Sequence, residues 1–267
     1  MDGRVVVVTG GGGLLGVRHA EIIAAAGGSP VLVDIDEDRA RRAAEDLAKR
    51  FGVDATHAKV DIADEAQVGA LQQKLLEHYG RVDVLINNAA NNPKVEGSDR
   101  ARFARAETFS LEQWEADLDV GLKGAFICTR IFGAEMARRR KGVVVNVLSE
   151  YGLDAPDQRL YRVEGLPDDQ QPVKPVTYTV AKSGLLGMSR YFASYWGAQG
   201  VRVNSITIGG VYNGQPEEFV KRYVNRVPLG RMAASDDYQG AMLFLCSDAS
   251  RFMTGSNLII DGGKSCW

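Results

Sequence analysis

The sequence predicts one α/β domain across 1–267, a doubly wound parallel sheet of about seven strands with helices on both faces. Three observations carry that prediction. Short β-branched apolar runs alternate with longer stretches of helical pattern from one end of the chain to the other. The runs are nearly continuous in Val, Ile and Leu, which suits parallel strands covered on both faces. With 267 residues, 45% of them hydrophobic, and no repeat or low-complexity linker, the chain has the material for one large core.

In order, "RVVVVT" (4–9) is the first strand, and a glycine-rich turn leads into a helix over 14–26. "SPVLVD" (29–34) runs into the acid-rich "DIDED", a helix start, and a helix over 37–51. "THAKVD" (56–61) precedes a helix over 65–79, and "VDVLIN" (82–87) precedes a long helix over 110–139. "GVVVNVLS" (142–149) is the fifth strand, and a helix over 178–197 follows its long connection. The strand "VRVNSI" (201–206), a helix over 236–247 and the strand "NLIID" (257–261) complete the alternation. Crossovers in such a sheet are right-handed, and ligands bind at the carboxyl ends of the strands.

Three long segments, 90–109, 150–177 and 207–230, are expected over that edge as substrate-side loops. The first carries Lys94, Arg100, Arg102 and Arg105. The second carries Asp154, Asp157, Arg159, Arg162, Glu164, Asp168, Asp169 and Lys174. The third mixes polar groups with Val211, Tyr212, Phe219 and Tyr223 and is expected to fold over the substrate as a lid.

Lys+Arg 32 against Asp+Glu 34 gives a net charge of -2, so no basic surplus argues for nucleic acid or an anionic membrane. Cys128, Cys246 and Cys266 are scattered and odd in number, which fits a reducing compartment. "MDGRVVVVTG" enters a strand at once, without the charged lead and apolar region of a signal peptide, and no apolar run reaches transmembrane length. His19, His57 and His78 fall on separate elements and make no metal constellation. The expectation is a cytoplasmic protein with no nucleic-acid, membrane or metal partner.

"VVVVTGGGGLLG" sets a glycine-rich turn between a strand and a helix. Glycine lets the backbone approach a pyrophosphate closely, and the helix offers that anion its unpaired N–H groups. The arrangement makes the sheet Rossmann-like and points to a dinucleotide. The second strand ends in Asp34, 18 residues past Gly16. A carboxylate there accepts hydrogen bonds from the adenosine ribose hydroxyls and repels a 2′-phosphate, so NAD is favoured over NADP. Asp34 has a second reading as a cap of the next helix. Asp61, ending the third strand, is expected near the adenine, and "INNAA" (86–90) borders the same crevice.

Taken together, these motifs resemble the short-chain dehydrogenase/reductase family over nearly the whole chain. "TGGGGLLG" (9–16) resembles TGxxxGxG, "NNAA" (87–90) resembles NNAG, and "YTVAK" (178–182) is the YxxxK pair. "NVLS" (146–149) resembles the strand that carries the catalytic Ser. "VRVNSITIGGV" (201–211) resembles the segment over the nicotinamide, and "TGSNLIIDGG" (254–263) the C-terminal strand. A narrower likeness is to bacterial members associated with surface-sugar pathways.

The resemblance implies hydride transfer between the nicotinamide and a carbon bearing a hydroxyl or carbonyl, with Ser149, Tyr178 and Lys182 as catalytic residues. Tyr has an ordinary pKa of about 10. The Lys182 ammonium and an oxidised nicotinamide favour the phenolate and bring Tyr178 toward the range of a general acid/base. Lys182 would also hold the nicotinamide ribose, and Ser149 the substrate oxygen. The expected cofactor contacts are Gly10, Gly12, Gly13, Leu14, Leu15, Gly16, Asp34, Ile35, Asp61, Ile62, Asn88, Ala89, Ala90, Tyr178, Lys182, Gly209 and Val211.

The chain departs from the family pattern in four places. Leu14 replaces the middle glycine, and Ile208 replaces the proline before the nicotinamide-covering Gly209. Gly121 stands where the family carries an Asn that helps hold a water linked to the Lys, so a kink there or slower proton exchange is expected. Ser149 and Tyr178 are 29 residues apart, well beyond the family spacing. The extra residues in 150–177, stiffened by Pro156, Pro167, Pro172 and Pro175, are expected to form an added substrate wall. "GGKS" (262–265) is read as a tail after the last strand, and "YFASYW" (191–196) as a packed face of core plus interface.

The leading expectation is an NAD-dependent oxidoreductase of a secondary alcohol, with a small polar substrate such as a sugar, amino sugar or sugar phosphate. A ketoreductase of another small carbonyl compound is the alternative within enzymes. A cofactor-binding regulatory protein without turnover is the alternative of another class. Assembly as a homo-oligomer, a tetramer or dimer, through helices near 110–139 and 178–197 is implied by the resemblance.

Overall fold

The apolar runs form β1 (Val5–Thr9), β2 (Ser29–Asp34), β3 (Thr56–Lys59), β4 (Val84–Asn87), β5 (Gly142–Ser149), β6 (Val201–Ile208) and β7 (Asn257–Ile260). In the computed structural model, which describes residues 1–91 and 104–267, they make one parallel sheet in the order β3-β2-β1-β4-β5-β6-β7. The helices are α1 (Leu14–Ala25), α2 (Glu37–Phe51), α3 (Glu65–Tyr79), α4 (Leu111–Leu118), α5 (Ala125–Arg138), α6 (Val176–Trp196), α7 (Glu217–Val224) and α8 (Gln239–Cys246). The strand order reverses between β1 and β4, which opens a crevice at their carboxyl ends.

Side chains alternate across a strand, and here both alternating sets are apolar. Val5, Val7, Val31, Val33 and Leu85 face a layer built from α3, α5 and α6. Val6, Val8, Leu32, Val84 and Ile86 face a layer built from α1, α2 and α8. This is why the strands read as unbroken Val, Ile and Leu. Caps fix the helix starts: Asp36 accepts from the Arg39 amide, Asp64 from Ala66 and Gln67, and Ser110 from Gln113. Asp36, not Asp34, therefore caps α2.

Three elements differ from expectation. Strand β6 continues to Ile208, two residues beyond the apolar run, because it pairs in register with β5 as far as Ser149. The expected lid, 207–230, contains α7, with Pro216 at its cap, Glu217 and Glu218 in its first turn and Lys221 and Arg222 in its last. The helix expected over 110–139 is α4 and α5 joined by a π-helical turn, Asp119–Gly124, that contains Gly121. A Cβ on Gly121 would stand 3.0 Å from the Ala181 Cβ, so α6 crosses where the family's Asn would project. Four residues earlier, the Thr177 hydroxyl donates to Asp117 at 2.6 Å.

The cluster "YFASYW" divides between two faces of α6. Phe192 and Trp196 are buried and stacked at 4.6 Å, while Tyr191 and Tyr195 are exposed and stacked on each other at 5.7 Å. The Trp196 ring fits because Gly133 on α5 has no side chain: a Cβ there would lie 2.3 Å from the ring. Gly133→Ala is expected to overpack this crossing and cost about 1–3 kcal/mol. Urea unfolding checks it, and an unchanged midpoint would contradict the packing described.

Candidate active site

A cleft of about 870 Å³ runs along the carboxyl edge of the sheet, from Asp34 to Tyr178. Gly10, Gly13, Leu14, Leu15, Asp34, Ile35, Asp61, Ile62, Asn88, Ala89, Ala90, Ser149, Tyr178, Lys182, Gly209 and Val211 line it. Gly12 and Gly16, expected as contacts, do not, and they shape the wall from behind. A Cβ on Gly16 would sit 2.0 Å from the Gly10 carbonyl oxygen, and one on Gly12 would sit 2.7 Å from the Arg39 Cβ. Both glycines let the turn lie flat against α1 and α2.

The dinucleotide half is braced by short polar links. Gly10 holds φ +61°, and its own Cβ would be 2.9 Å from the Ala89 Cα, so turn and β4 end touch backbone to backbone. Asn88 Nδ2 donates to the Thr9 carbonyl at 3.0 Å, and the Ala89 amide donates to Thr9 Oγ1 at 3.1 Å. Asp34 Oδ2 accepts from the Gly12 amide at 2.9 Å and Oδ1 from the Asp36 amide at 3.1 Å. Gly13 caps α1 without a side-chain bond, leaving first-turn N–H groups for an anion. A tight glycine turn, a helix start without a side-chain cap and a carboxylate at the second strand end fit a nicotinamide dinucleotide.

At the other half, β5 delivers Ser149 and α6 delivers Tyr178 and Lys182. Ser149 is hydrogen-bonded to the Tyr178 phenol. Lys182 Nζ donates to the Val147 carbonyl at 2.7 Å and lies 5.8 Å from the Tyr178 ring centroid. Burial pulls the Lys182 ammonium down to about 8, and the nearby Lys174 charge adds to that. Burial also pushes the Tyr178 phenol above its ordinary value; the Ser149 bond opposes this and the Glu150 charge reinforces it. The expected downward shift is therefore not a property of the protein alone, because desolvation outweighs the Ser149 bond. Gly152, just past Ser149, packs on Lys182 so closely that a Cβ would meet its backbone at 2.9 Å.

Below the reacting groups lies a buried network that the sequence did not announce. The Glu150 carboxylate is 4% exposed, and Lys264 Nζ stands 3.4 Å from its Oε1. Tyr223 donates to Glu150 Oε2 at 2.8 Å and accepts from the Gly210 amide at 2.6 Å. Burial raises the Glu150 carboxyl, against the pull of Lys264 and Tyr223. "GGKS" is thus no loose tail: its lysine is a counter-ion beneath the site. Thr177, one residue before Tyr178, is held by Asp117, which also accepts from Gln113 at 2.7 Å and Asn91 at 3.2 Å.

The segment 150–177 contains three short 3-10 turns and, with α7, walls the end of the cleft that holds Ser149 and Tyr178. Several of its charges pair away from the cleft: Asp157 with Arg159 and Arg226, Arg162 with Asp168. The residues of the segment that line the cleft are instead Glu150, Tyr151, Tyr161 and Lys174, joined by Asn213, Gln215, Phe219, Tyr223 and Met232. Arg105 reaches the Asp168 carbonyl at 2.9 Å, while Lys94, Arg100 and Arg102 lie outside the described residues. Among the described residues no cluster of His, Cys, Asp and Glu is arranged to hold a metal ion, and no helix is long and apolar enough to cross a membrane.

Two family models match the chain, "short chain dehydrogenase" over residues 4–161 and "Enoyl-(Acyl carrier protein) reductase" over 169–265. A D-threitol dehydrogenase of Mycolicibacterium smegmatis is 31% identical, with 98% of this chain and 93% of the relative covered. A 3-oxoacyl-[acyl-carrier-protein] reductase of Chlamydia muridarum is 29% identical, with 98% and 97% covered. Among solved structures, a gluconate 5-dehydrogenase from Burkholderia cenocepacia in complex with NADP and tartrate superposes with a TM-score of 0.86 at 26% identity, covering 100% of this chain and 97% of that one.

The Glu150–Lys264 pair yields a stability test. Lys264→Met leaves a buried carboxylate without its cation and is expected to cost about 3–5 kcal/mol. The double variant Lys264→Met with Glu150→Gln removes both charges and should recover most of that loss. Chemical denaturation of the three proteins measures it, and equal stability of single variant and wild type would show the pair to be unimportant.

Proposed function

The chain belongs to the short-chain dehydrogenase family, and on that premise we propose that it interconverts a secondary alcohol and a ketone on a polyhydroxylated substrate with NAD as cofactor. The observation that carries this reading is the convergence of Ser149, Tyr178 and Lys182 at one end of a cleft whose other end holds the glycine turn and Asp34. The likeness to a D-threitol dehydrogenase and a gluconate 5-dehydrogenase supports a substrate rich in hydroxyls.

Gly10, Gly13 and the first turn of α1 would hold the pyrophosphate, Asp34 the adenosine ribose, and Lys182 the nicotinamide ribose. When bound, the nicotinamide supplies a hydride acceptor in one direction and a donor in the other. Ser149 holds the substrate oxygen beside Tyr178. During oxidation Tyr178 takes the hydroxyl proton while hydride leaves the carbinol carbon, and during reduction it returns that proton to the carbonyl oxygen. The Lys182 ammonium stabilises the phenolate that this requires. Glu150, paired with Lys264, stays out of the exchange.

NAD is preferred on electrostatic grounds. A 2′-phosphate would face the Asp34 carboxylate, and the cation nearest that end, Arg39, is already 3.1 Å from Asp36. A ketoreductase working on an acyl carbonyl is the second reading, favoured by the aromatic walls Tyr151, Tyr161 and Phe219 and by the likeness to the acyl-carrier reductase. Exposed Phe126, Tyr191 and Tyr195 on α5 and α6 support association with a second copy through those helices.

Wild type and Tyr178→Phe should be compared for NADH production across C4–C6 alditols, with ketose reduction as the reverse arm. Loss of the phenol is expected to lower turnover by at least about 100-fold. Cofactor bound without turnover in either direction, and unaltered by Tyr178→Phe, would refute the enzyme reading. Calorimetry should give tighter binding of NAD than of NADP, and Asp34→Ala should narrow that gap. Equal or tighter NADP binding by the wild type would refute the cofactor assignment.

A further inference from the structure

Strands β5 and β6 run in register to their last residues, with Ser149 opposite Ile208. The chain therefore leaves the sheet at two neighbouring points, as Glu150 after Ser149 and as Gly209 and Gly210 after Ile208. All three of these residues line the cleft. On the dehydrogenase reading, the Gly209–Gly210 turn borders the nicotinamide, so its placement sets how that ring meets the substrate carbon.

Backbone groups that leave a sheet need new partners. The Gly209 amide donates to the Ile260 carbonyl at 2.9 Å, and the Gly209 carbonyl accepts from Tyr238 at 3.0 Å. The Gly210 carbonyl accepts from the Ala233 amide at 3.0 Å. The Gly210 amide turns to α7 and donates to the Tyr223 hydroxyl at 2.6 Å. That approach requires glycine, since a Cβ on Gly210 would stand 2.7 Å from the Tyr223 ring.

A phenol has one proton, and an amide can only donate. With the Gly210 amide on its oxygen, Tyr223 gives its proton elsewhere, and Glu150 Oε2 takes it at 2.8 Å. Lys264, 3.4 Å from the other carboxylate oxygen, favours the charged acceptor. The Tyr223 ring is 2% exposed and stacks on Phe219 at 6.1 Å, so the hydroxyl cannot swing away without repacking the wall. Lysine, carboxylate, phenol and amide thus form one chain of contacts from the C-terminal turn to the turn after β6.

We propose that Tyr223 is a positioning residue for hydride transfer: its hydroxyl fixes Gly210 and, through it, the nicotinamide, while Glu150 and Lys264 hold that hydroxyl in its accepting orientation. This rests on the dehydrogenase reading above. Tyr223 acts through the Gly210 backbone and not on the reacting atoms. Hydride transfer is steep in geometry, and a misplacement of about 1 Å costs about 100-fold in rate.

The test records kcat and KM with saturating NAD on the alditol that the wild type oxidises fastest. It also records calorimetric binding of NADH and of ADP-ribose, which lacks the nicotinamide. Tyr223→Phe keeps the ring of the cleft wall and removes the hydroxyl. It should lower kcat by about 10- to 100-fold and leave KM for the alditol little changed. NADH should bind about 3- to 10-fold more weakly while ADP-ribose binds as before, which also reports that the variant is folded. Gly210→Ala, whose Cβ would drive the turn off the phenol, should give the same pattern, and it carries the test if Tyr223→Phe does not fold. Glu150→Gln with Lys264→Met retains an oxygen to accept from the phenol, so it should keep more of kcat than Tyr223→Phe. An unaltered kcat in Tyr223→Phe, equal losses of NADH and ADP-ribose affinity, or a double variant as slow as Tyr223→Phe overturns the proposal. No turnover by the wild type, with NADH affinity selectively lost in Tyr223→Phe, would uphold the positioning of the nicotinamide and refute the dehydrogenase reading. Turnover by the wild type, with kcat unmoved in Tyr223→Phe, would do the reverse.

Discussion

A carboxylate buried directly after Ser149 must be neutralised, and the way Glu150 is neutralised arranges the reaction end of the molecule. Its cation arrives from the last residues of the chain, through Lys264. Its hydrogen-bond donor arrives from α7, through Tyr223, whose oxygen also receives the Gly210 amide. One side chain thus ties the β5 end, α7, the segment after β6 and the C-terminal turn. Replacing such a pair by apolar groups often costs little, so its value to stability alone is modest. Its value here is geometric: it fixes four separate segments against one another where Ser149 must meet Tyr178.

The same logic of paired positions runs along α6. Asp117 and Gly121 lie one helical turn apart and meet Thr177 and Ala181, which also lie one turn apart. Thr177 precedes Tyr178 and Ala181 precedes Lys182, so the opposing helix grips the neighbour of each member of the Tyr178–Lys182 pair. The upper contact is polar and the lower one is a near approach that only glycine permits. A side chain at 121 would require Ala181 to give by a few tenths of an ångström, so the departure from the family pattern belongs with the helix contact here. The π-helical turn accommodates the altered path.

Much of this was legible in the chain because it is local. Unbroken Val and Ile runs mark strands with both faces covered, and the observed clusters divide odd from even positions of β1 as that requires. The glycine turn, Asp34 and the Tyr178–Lys182 spacing declare themselves within a few residues. For Gly12 and Gly16 the sequence could not tell ligand contact from wall packing, because glycine in a turn serves both, and the crowding behind them shows the packing role. Lys264 was invisible for the opposite reason: its partner lies 114 residues away, and nothing local distinguishes a counter-ion from a polar tail. The charge-rich 150–177 misled because composition does not say which way a side chain points. Arg159 and Arg162 face out and Lys174 faces in, and the signal that could have told them apart was Lys174's place between Pro172 and Pro175.

The electrostatics of the Tyr178 site then follow from burial rather than from the lysine alone. The environment that brings Ser149, Tyr178 and Lys182 together excludes water, and this raises the phenol while it lowers the ammonium to about 8. Both shifts favour neutral forms, so the resting protein holds the proton on Tyr178. A phenolate becomes accessible only when further positive charge enters the compartment, because opposite charge at short range is what offsets desolvation. On the proposed reading an oxidised nicotinamide would contribute that charge, so the base would form where cofactor and substrate are both in place. On the same reading, the burial that keeps the proton on Tyr178 in the free protein would confine its action as a base to the assembled complex.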